Sequence, residues 1–182
     1  MGGIYFEFRA LHYLLHLYSA ASIEALAPCP PRGAKFEDFT LGKRRKSREL
    51  ALQVLYQIDM SEGDAEEKFN LFWQHFTPSD ELKAFSQKIV EGVCQHREEI
   101  DALIEKHSEH WRLTRMTIVD RNVLRSAIFE LMYCADIPAK VILNEAVELG
   151  KKFGSEKTGP FINGILDKVS HQIKRLQTTE NN

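Results

Sequence analysis

Residues 137–173 read IPAKVILNEAVELGKKFGSEKTGPFINGILDKVSHQI, and this stretch decides the fold class. Ile142, Ala146, Leu149 and Phe153 recur at three- and four-residue intervals, the spacing of one buried helical face. Gly154 closes that run. From about Gly159 a second face begins, carried by Ile162, Ile165, Leu166, Val169 and Ile173. Asp136-Ile137-Pro138 marks the start of the first helix, because proline is tolerated in a helix's opening turn and little further in.

The same period governs the chain towards the N-terminus. Thr117-Ile118-Val119-Asp120 reads as a capping box opening a helix with Leu124, Ala127, Ile128 and Leu131 on one face. Thr77-Pro78-Ser79-Asp80 reads as another, opening one long helix through Leu82, Phe85, Ile89, Val93, Ile100 and Leu103. His96 falls on that stripe and reads as a packed histidine at the core's edge. A shorter helix is expected from Ala65 to Phe76, burying Phe69, Phe72, Trp73 and Phe76. Ala51, Val54, Leu55 and Ile58 mark the first helix of the domain. No alternating pattern competes, and no internal repeat occurs. The expected fold is all-α, a compact bundle of six or seven helices.

Composition bounds the function. At 182 residues, with 43% hydrophobic and 27% charged residues, the chain suits one soluble globular domain. A net charge of −2 excludes a globally basic nucleic-acid binder, so any such affinity rests on a local patch. Cys29, Cys94 and Cys134 form no CxxC pair, which fits reduced thiols in the cytoplasm and neither a disulfide framework nor a zinc site. Residues 1–42 are expected to be an extension and linker, with prolines at 28, 30 and 31. A helical domain would follow over 43–176, and a disordered tail over 177–182. No segment reaches the roughly 18 apolar residues of a membrane span.

Catalytic patterns are missing: no phosphate-binding loop, no GxGxxG and no GxSxG, so neither an enzyme nor a cofactor is expected. His12 and His16 lack the glutamate of a zinc protease, and His107 with His110 lacks a completing ligand, so no metal is expected. Three surfaces remain. Lys43, Arg44, Arg45, Lys46 and Arg48 crowd what reads as a helix start, where cations oppose the macrodipole. They read either as a solvated arm or as a phosphate clamp reinforced by free helix-start amides. Arg48, two turns before Leu55, is expected at the rim of the core. Lys151 to Gly164 interleaves lysines with Phe153 and Phe161, a pattern suited to single-stranded nucleic acid or to a tight corner. Asp120, Arg121, Arg125 and Glu130 alternate in sign, as on a solvated salt-bridged face or a protein interface.

Taken in order, RRKSRELALQVLYQ, IVEGV, WRLTRMTIVDRNVLRSAIFEL, IPAKVILNEAVELGKKFG and FINGILDKV resemble the motifs of the NusB family of bacterial transcription antitermination factors. The resemblance runs from about Arg44 to Ile173 and leaves residues 1–42 uncovered. It implies two small helical subdomains and pairing with NusE, a small-subunit ribosomal protein. The pair would bind boxA RNA in nascent ribosomal RNA transcripts, as part of an RNA polymerase antitermination complex. Carried over by motif, Arg44, Arg45, Lys46 and Arg48 would meet RNA, with Phe153, Lys157, Thr158 and Phe161 as the neighbouring surface. Lys157 stands where some relatives carry an acidic residue, which favours RNA here. Tyr56 and Asp120 are the implied NusE contacts, and Asp120 is also a plausible cap. Two alternatives stay open: the detached accessory domain of a ribosomal RNA cytosine methyltransferase, or a helical protein-interaction module. A homodimer masking the RNA surface is a further possibility.

Overall fold

The computed structural model of the chain describes residues 36–60, 72, 79–108 and 111–179. Over these it is all-helical, as the periodicity requires. The helices are α1 (Phe36–Met60), α2 (Asp80–Gln95), α3 (Arg97–His107), α4 (Ile118–Tyr133), α5 (Ala139–Phe153) and α6 (Thr158–Thr179), with a 3-10 turn at Leu113–Arg115. Among the described residues there is no strand.

Three boundaries differ from expectation. Helix α1 begins at Phe36, so it already runs for about two turns before Lys43. The linker expected to reach Gly42 therefore ends inside a helix. The amides of residues 43–48 lie within it, which removes the helix-start half of the expected phosphate clamp. The single long helix through Leu103 is two helices, broken at His96, whose backbone leaves the helical region at φ −106° and ψ 21°. The His96 ring stacks on Tyr133 at 4.2 Å and lies 6.5 Å from Phe129, so the break seats the ring against α4. Helix α2 opens at Asp80 behind Ser79, with no side-chain cap. The helix expected over 65–76 lies outside the described residues except Phe72, which packs on the core. The Thr117 cap is present: the Asp120 N–H donates to Thr117 Oγ1 at 3.1 Å.

Helix α4 is the shared element. It packs against α1, α2 and α3 on one side and α5 and α6 on the other, while α1 pairs with α2 and α5 with α6. One continuous core results, with Leu50, Val54, Ile89, Ile100, Leu124, Ile128, Ile142, Ile162 and Leu166 fully buried. Two glycines set the approach of neighbouring helices. A Cβ at Gly92 would overlap the Phe129 ring, and one at Gly150 would come within 2.7 Å of Ile162 Cδ1.

Charge crosses this core at one end of α1. Asp59, its side chain 3% exposed, accepts from Arg97 at 2.7 Å, Arg121 at 2.8 Å and Arg125 at 2.9 Å. Asn122 adds a bond at 3.2 Å, and Arg125 reaches Asp101 through a second fork at 2.7 and 2.9 Å. Of the residues that alternate in sign along α4, Arg121, Arg125 and Glu130 thus make internal cross-links, not a solvated face. Burial pushes the Asp59 carboxyl up. The Arg121 hydrogen bond and the charges of Arg125, Arg121 and Arg97 outweigh it and hold the pKa below the usual aspartate value. A depressed folded-state pKa contributes stability above about pH 4, lost as pH falls through the folded value. Asp59→Asn is expected to cost roughly 3 kcal/mol at pH 7, near the low end for a broken buried pair because Asp101 still holds Arg125. Urea denaturation from pH 7 down to pH 3 checks this: the gap between wild type and variant should narrow below about pH 4.

Candidate nucleic-acid interface

A helix turns about 100° per residue, so six consecutive positions circle it, and the basic run of α1 sends its side chains in several directions. Each cation meets a carboxylate. Lys43 bonds Glu81 on α2 at 2.6 Å, and Arg44 bonds Asp136 before α5 at 3.0 Å. Arg45 forks onto Glu145 of α5 at 2.9 and 2.6 Å, and Lys46 lies 3.4 Å from Glu49. The Arg45 hydrogen bond to Glu145 raises its pKa against the opposing effect of burial, so this guanidinium stays charged.

Arg48 is the exception to its expected place at the rim. It is 4% exposed, with Nε and Nη2 on the Glu130 carboxylate at 2.8 and 2.6 Å and Nη1 3.8 Å from Glu145. The guanidinium also lies 5.5 Å above the Phe85 ring. It sits on the same helical face as Ala51 and Leu55, and that face is interior because α4 and α5 bring two carboxylates to it. Arg48 therefore has no surface to offer a phosphate; it orients the helix that carries the others.

Glu49 joins the two candidate surfaces. Its carboxylate, 7% exposed, takes Lys46 on one oxygen and Lys152 of α5 on the other, the latter at 2.5 Å. Lys152 Nζ also lies 5.1 Å above the Phe153 ring. Burial lowers the Lys46 pKa; Glu49 opposes this, and the nearby Lys152 charge reinforces it. Segments about a hundred residues apart in the chain thus meet: Lys46 and Lys152 share Glu49, Arg45 lies beside them on Glu145 of the same α5, and Arg44 faces Asp136 and the Phe85 ring. Lys157 is exposed on the corner beyond, and Phe161 is half-buried on α6.

Two further candidates need correction. Thr158 is 2% exposed, and its Oγ1 accepts the Ser155 N–H at 2.9 Å, so it pins the corner from within. A Cβ at Gly154 would collide with that threonine. Tyr56 is 2% exposed within the core and presents no ring to a partner. Asp120 is half-buried at the start of α4, with one carboxylate oxygen lacking a hydrogen-bond partner. His107 bonds Gln172 at 2.8 Å, while His12, His16 and His110 lie outside the described residues. No group of metal-ligating side chains occurs among the described residues.

Sequence reasoning missed the anionic half of the site. Glu145 stands one turn from both Ile142 and Leu149, and Glu130 one turn from Ala127. A carboxylate on an apolar stripe is the signal that could have shown it.

The model of the NusB family matches residues 45–171. A transcription antitermination protein NusB from Myxococcus xanthus is 51% identical over 139 residues, covering 74% of this chain and 99% of its own. One from Syntrophus aciditrophicus is 47% identical over 141 residues, covering 78% and 87%. Among solved structures, T. maritima NusB superimposes with a TM-score of 0.65 at 34% identity, covering 70% of this chain and 90% of that one. A complex described as antitermination factors NusB and NusE with double-stranded RNA gives 0.64 at 30% identity, covering 71% and 97%.

The partition between surface and buried cations is testable by unfolding. Arg48→Ala should cost about 3–5 kcal/mol, because Glu130 is left buried without its partner. Arg45→Ala removes a half-exposed guanidinium from buried Glu145, which keeps Arg48 Nη1 at 3.8 Å, and should cost less, about 1–2 kcal/mol. Equilibrium urea denaturation of the two variants checks both values.

Proposed function

Because the chain belongs to the NusB family, we propose that it is an RNA-binding transcription antitermination factor acting with the ribosomal protein NusE. Its RNA would be boxA-type, single-stranded, in nascent ribosomal RNA transcripts, and the pair would join the RNA polymerase antitermination complex in the cytoplasm. The role requires no chemistry from the chain itself. The carboxylate of Glu49 is the observation that carries the reading, since it draws Lys46 and Lys152 together and so joins the basic run of α1 to the basic–aromatic segment around Phe153.

On that surface, Arg44, Arg45, Lys46, Lys152 and Lys157 would meet phosphates, and Phe153 and Phe161 would take bases. Arg48 and Thr158 support it from beneath. Every α1 cation is already held by a carboxylate, so RNA phosphates would exchange with Glu145 or Glu49 and find the cations oriented beforehand. Asp120, half-buried at the start of α4, is the candidate NusE contact, and Tyr56 contributes only by packing α1. The alignment covers 99% of the Myxococcus relative, which is named a transcription antitermination protein, and this favours the antitermination reading over the methyltransferase one. No helix among the described residues is long and apolar enough to cross a membrane.

Fluorescence anisotropy of a labelled boxA-type RNA, with and without NusE and at two salt concentrations, tests the proposal. Binding should be steeply salt-dependent and tighter with NusE, and a scrambled RNA should bind less well. Arg45→Ala should weaken affinity several-fold and lower the salt slope by about one charge. No binding in either condition would overturn the reading.

A further inference from the structure

The aromatic surface does not stop at Phe161. Trp111 is 54% exposed, more than Met60 or Tyr133, the other large hydrophobic side chains left open among the described residues. Tyr133 has an internal role: its hydroxyl donates to Glu99 at 2.9 Å, and its ring stacks on His96 and Phe129. Among the described residues Trp111 has one ring contact, an edge-on approach to Phe161 with centroids 6.1 Å apart and planes at 70°.

The backbone that carries the indole is anchored. The Trp111 backbone N–H donates to the Ser108 carbonyl at 2.6 Å, and the Trp111 carbonyl accepts from Ser108 Oγ at 2.6 Å. Ser108 is itself 7% exposed and bonded back to Ile104 at the end of α3. An aromatic side chain on an anchored backbone, with much of its surface in water, offers a ring to a flat partner. The charges near it in the chain are of both signs, with Glu105 and Glu109 before it and arginines after it. Arg112 and Arg115 are exposed beside it in the chain, and Lys157 lies one turn before Phe161. Exposed Glu156 is the nearest acidic residue in the chain to that lysine. One turn beyond Phe161, Gly164 is exposed in mid-helix, and no atom lies within 4 Å of where its Cβ would stand. This leaves bare backbone next to the ring, where a base or sugar can approach closely.

We infer that Trp111 is the outer stacking platform for an unpaired RNA base, extending the RNA surface past Phe161 on to the turn between α3 and α4. The inference rests on the RNA-binding reading above and adds to it a residue and a direction. The occupant is a nucleobase and not an apolar protein segment because the patch is continuous with Phe161 and exposed Arg112 and Arg115 follow the ring in the chain. Stacking tolerates any base, so Trp111 adds affinity with little choice of sequence.

The test uses the full chain and a boxA-type RNA. Trp111→Ala should weaken binding about ten-fold with an unchanged salt slope, since stacking neutralises no phosphate, while Trp111→Phe should keep most of the affinity. Tryptophan emission of the wild type should be quenched by RNA, and the quench should disappear in Trp111→Phe, which retains Trp73. Unchanged thermal midpoints would show that the variants fold. Wild-type RNA binding that Trp111→Ala leaves intact would overturn this inference alone. No RNA binding by the wild type would remove the RNA reading and this inference together. If Trp111→Ala keeps its RNA affinity but loses NusE binding or self-association in sedimentation, the patch is a protein face and the inference falls.

Discussion

The buried ion pair between Arg48 and Glu130 governs the rest of this structure. Its two short hydrogen bonds link α1 to α4, and Glu145 of α5 stands 3.8 Å from the free edge of the same guanidinium. Removing both charges from water is costly, and the pair is tolerable only because its bidentate geometry satisfies most of their bonding capacity. Its consequence is orientational. With Arg48 turned inward, Arg45 must emerge beside Glu145 and Lys46 beside the seam with α5. Eleven residues on, Asp59 fixes the other end of α1 through arginines of α3 and α4. A helix held at two points about 16 Å apart can neither rotate nor slide without unpairing a buried charge.

The pairing also shapes the electrostatics of the proposed RNA surface. Its cations do not wait in water as flexible arms; carboxylates of α1, α2 and α5 and of the turn before α5 hold them in place. Such an arrangement reduces the rotamer entropy lost on binding phosphate, at the cost of displacing an internal partner. It also moderates the local positive field, in keeping with a chain whose overall charge is −2. Phosphates presented in the right register can replace several carboxylates together, whereas a stray polyanion meets cations already neutralised.

The errors of sequence reading share one cause. Period and caps locate a helix but do not state what passes over it. Arg48 looked like a rim residue because only its own helix was visible; the carboxylates that draw it inside come from positions 130 and 145. Tyr56 and Thr158 looked available for partners because nothing local shows that one packs into the core and the other closes a corner against Ser155. Trp111 belongs to no amphipathic stripe, and its neighbour Phe161 lies fifty residues away, so no local pattern marked it.

What the sequence determined by itself was the all-helical class and the apolar faces of its helices, because burying a stripe at 3.6-residue spacing is a local demand; the break at His96, where the ring seats against α4, is not local. It also determined the Thr117 cap, whose partners lie three residues apart, and the family, whose motifs are linear. Only the tertiary structure decided which charges are buried and which face water, that Lys46 and Lys152 meet on Glu49, and that an exposed indole continues the aromatic surface. Those outcomes depend on Coulomb and packing contacts between residues far apart in the chain, and no periodicity within one helix encodes them.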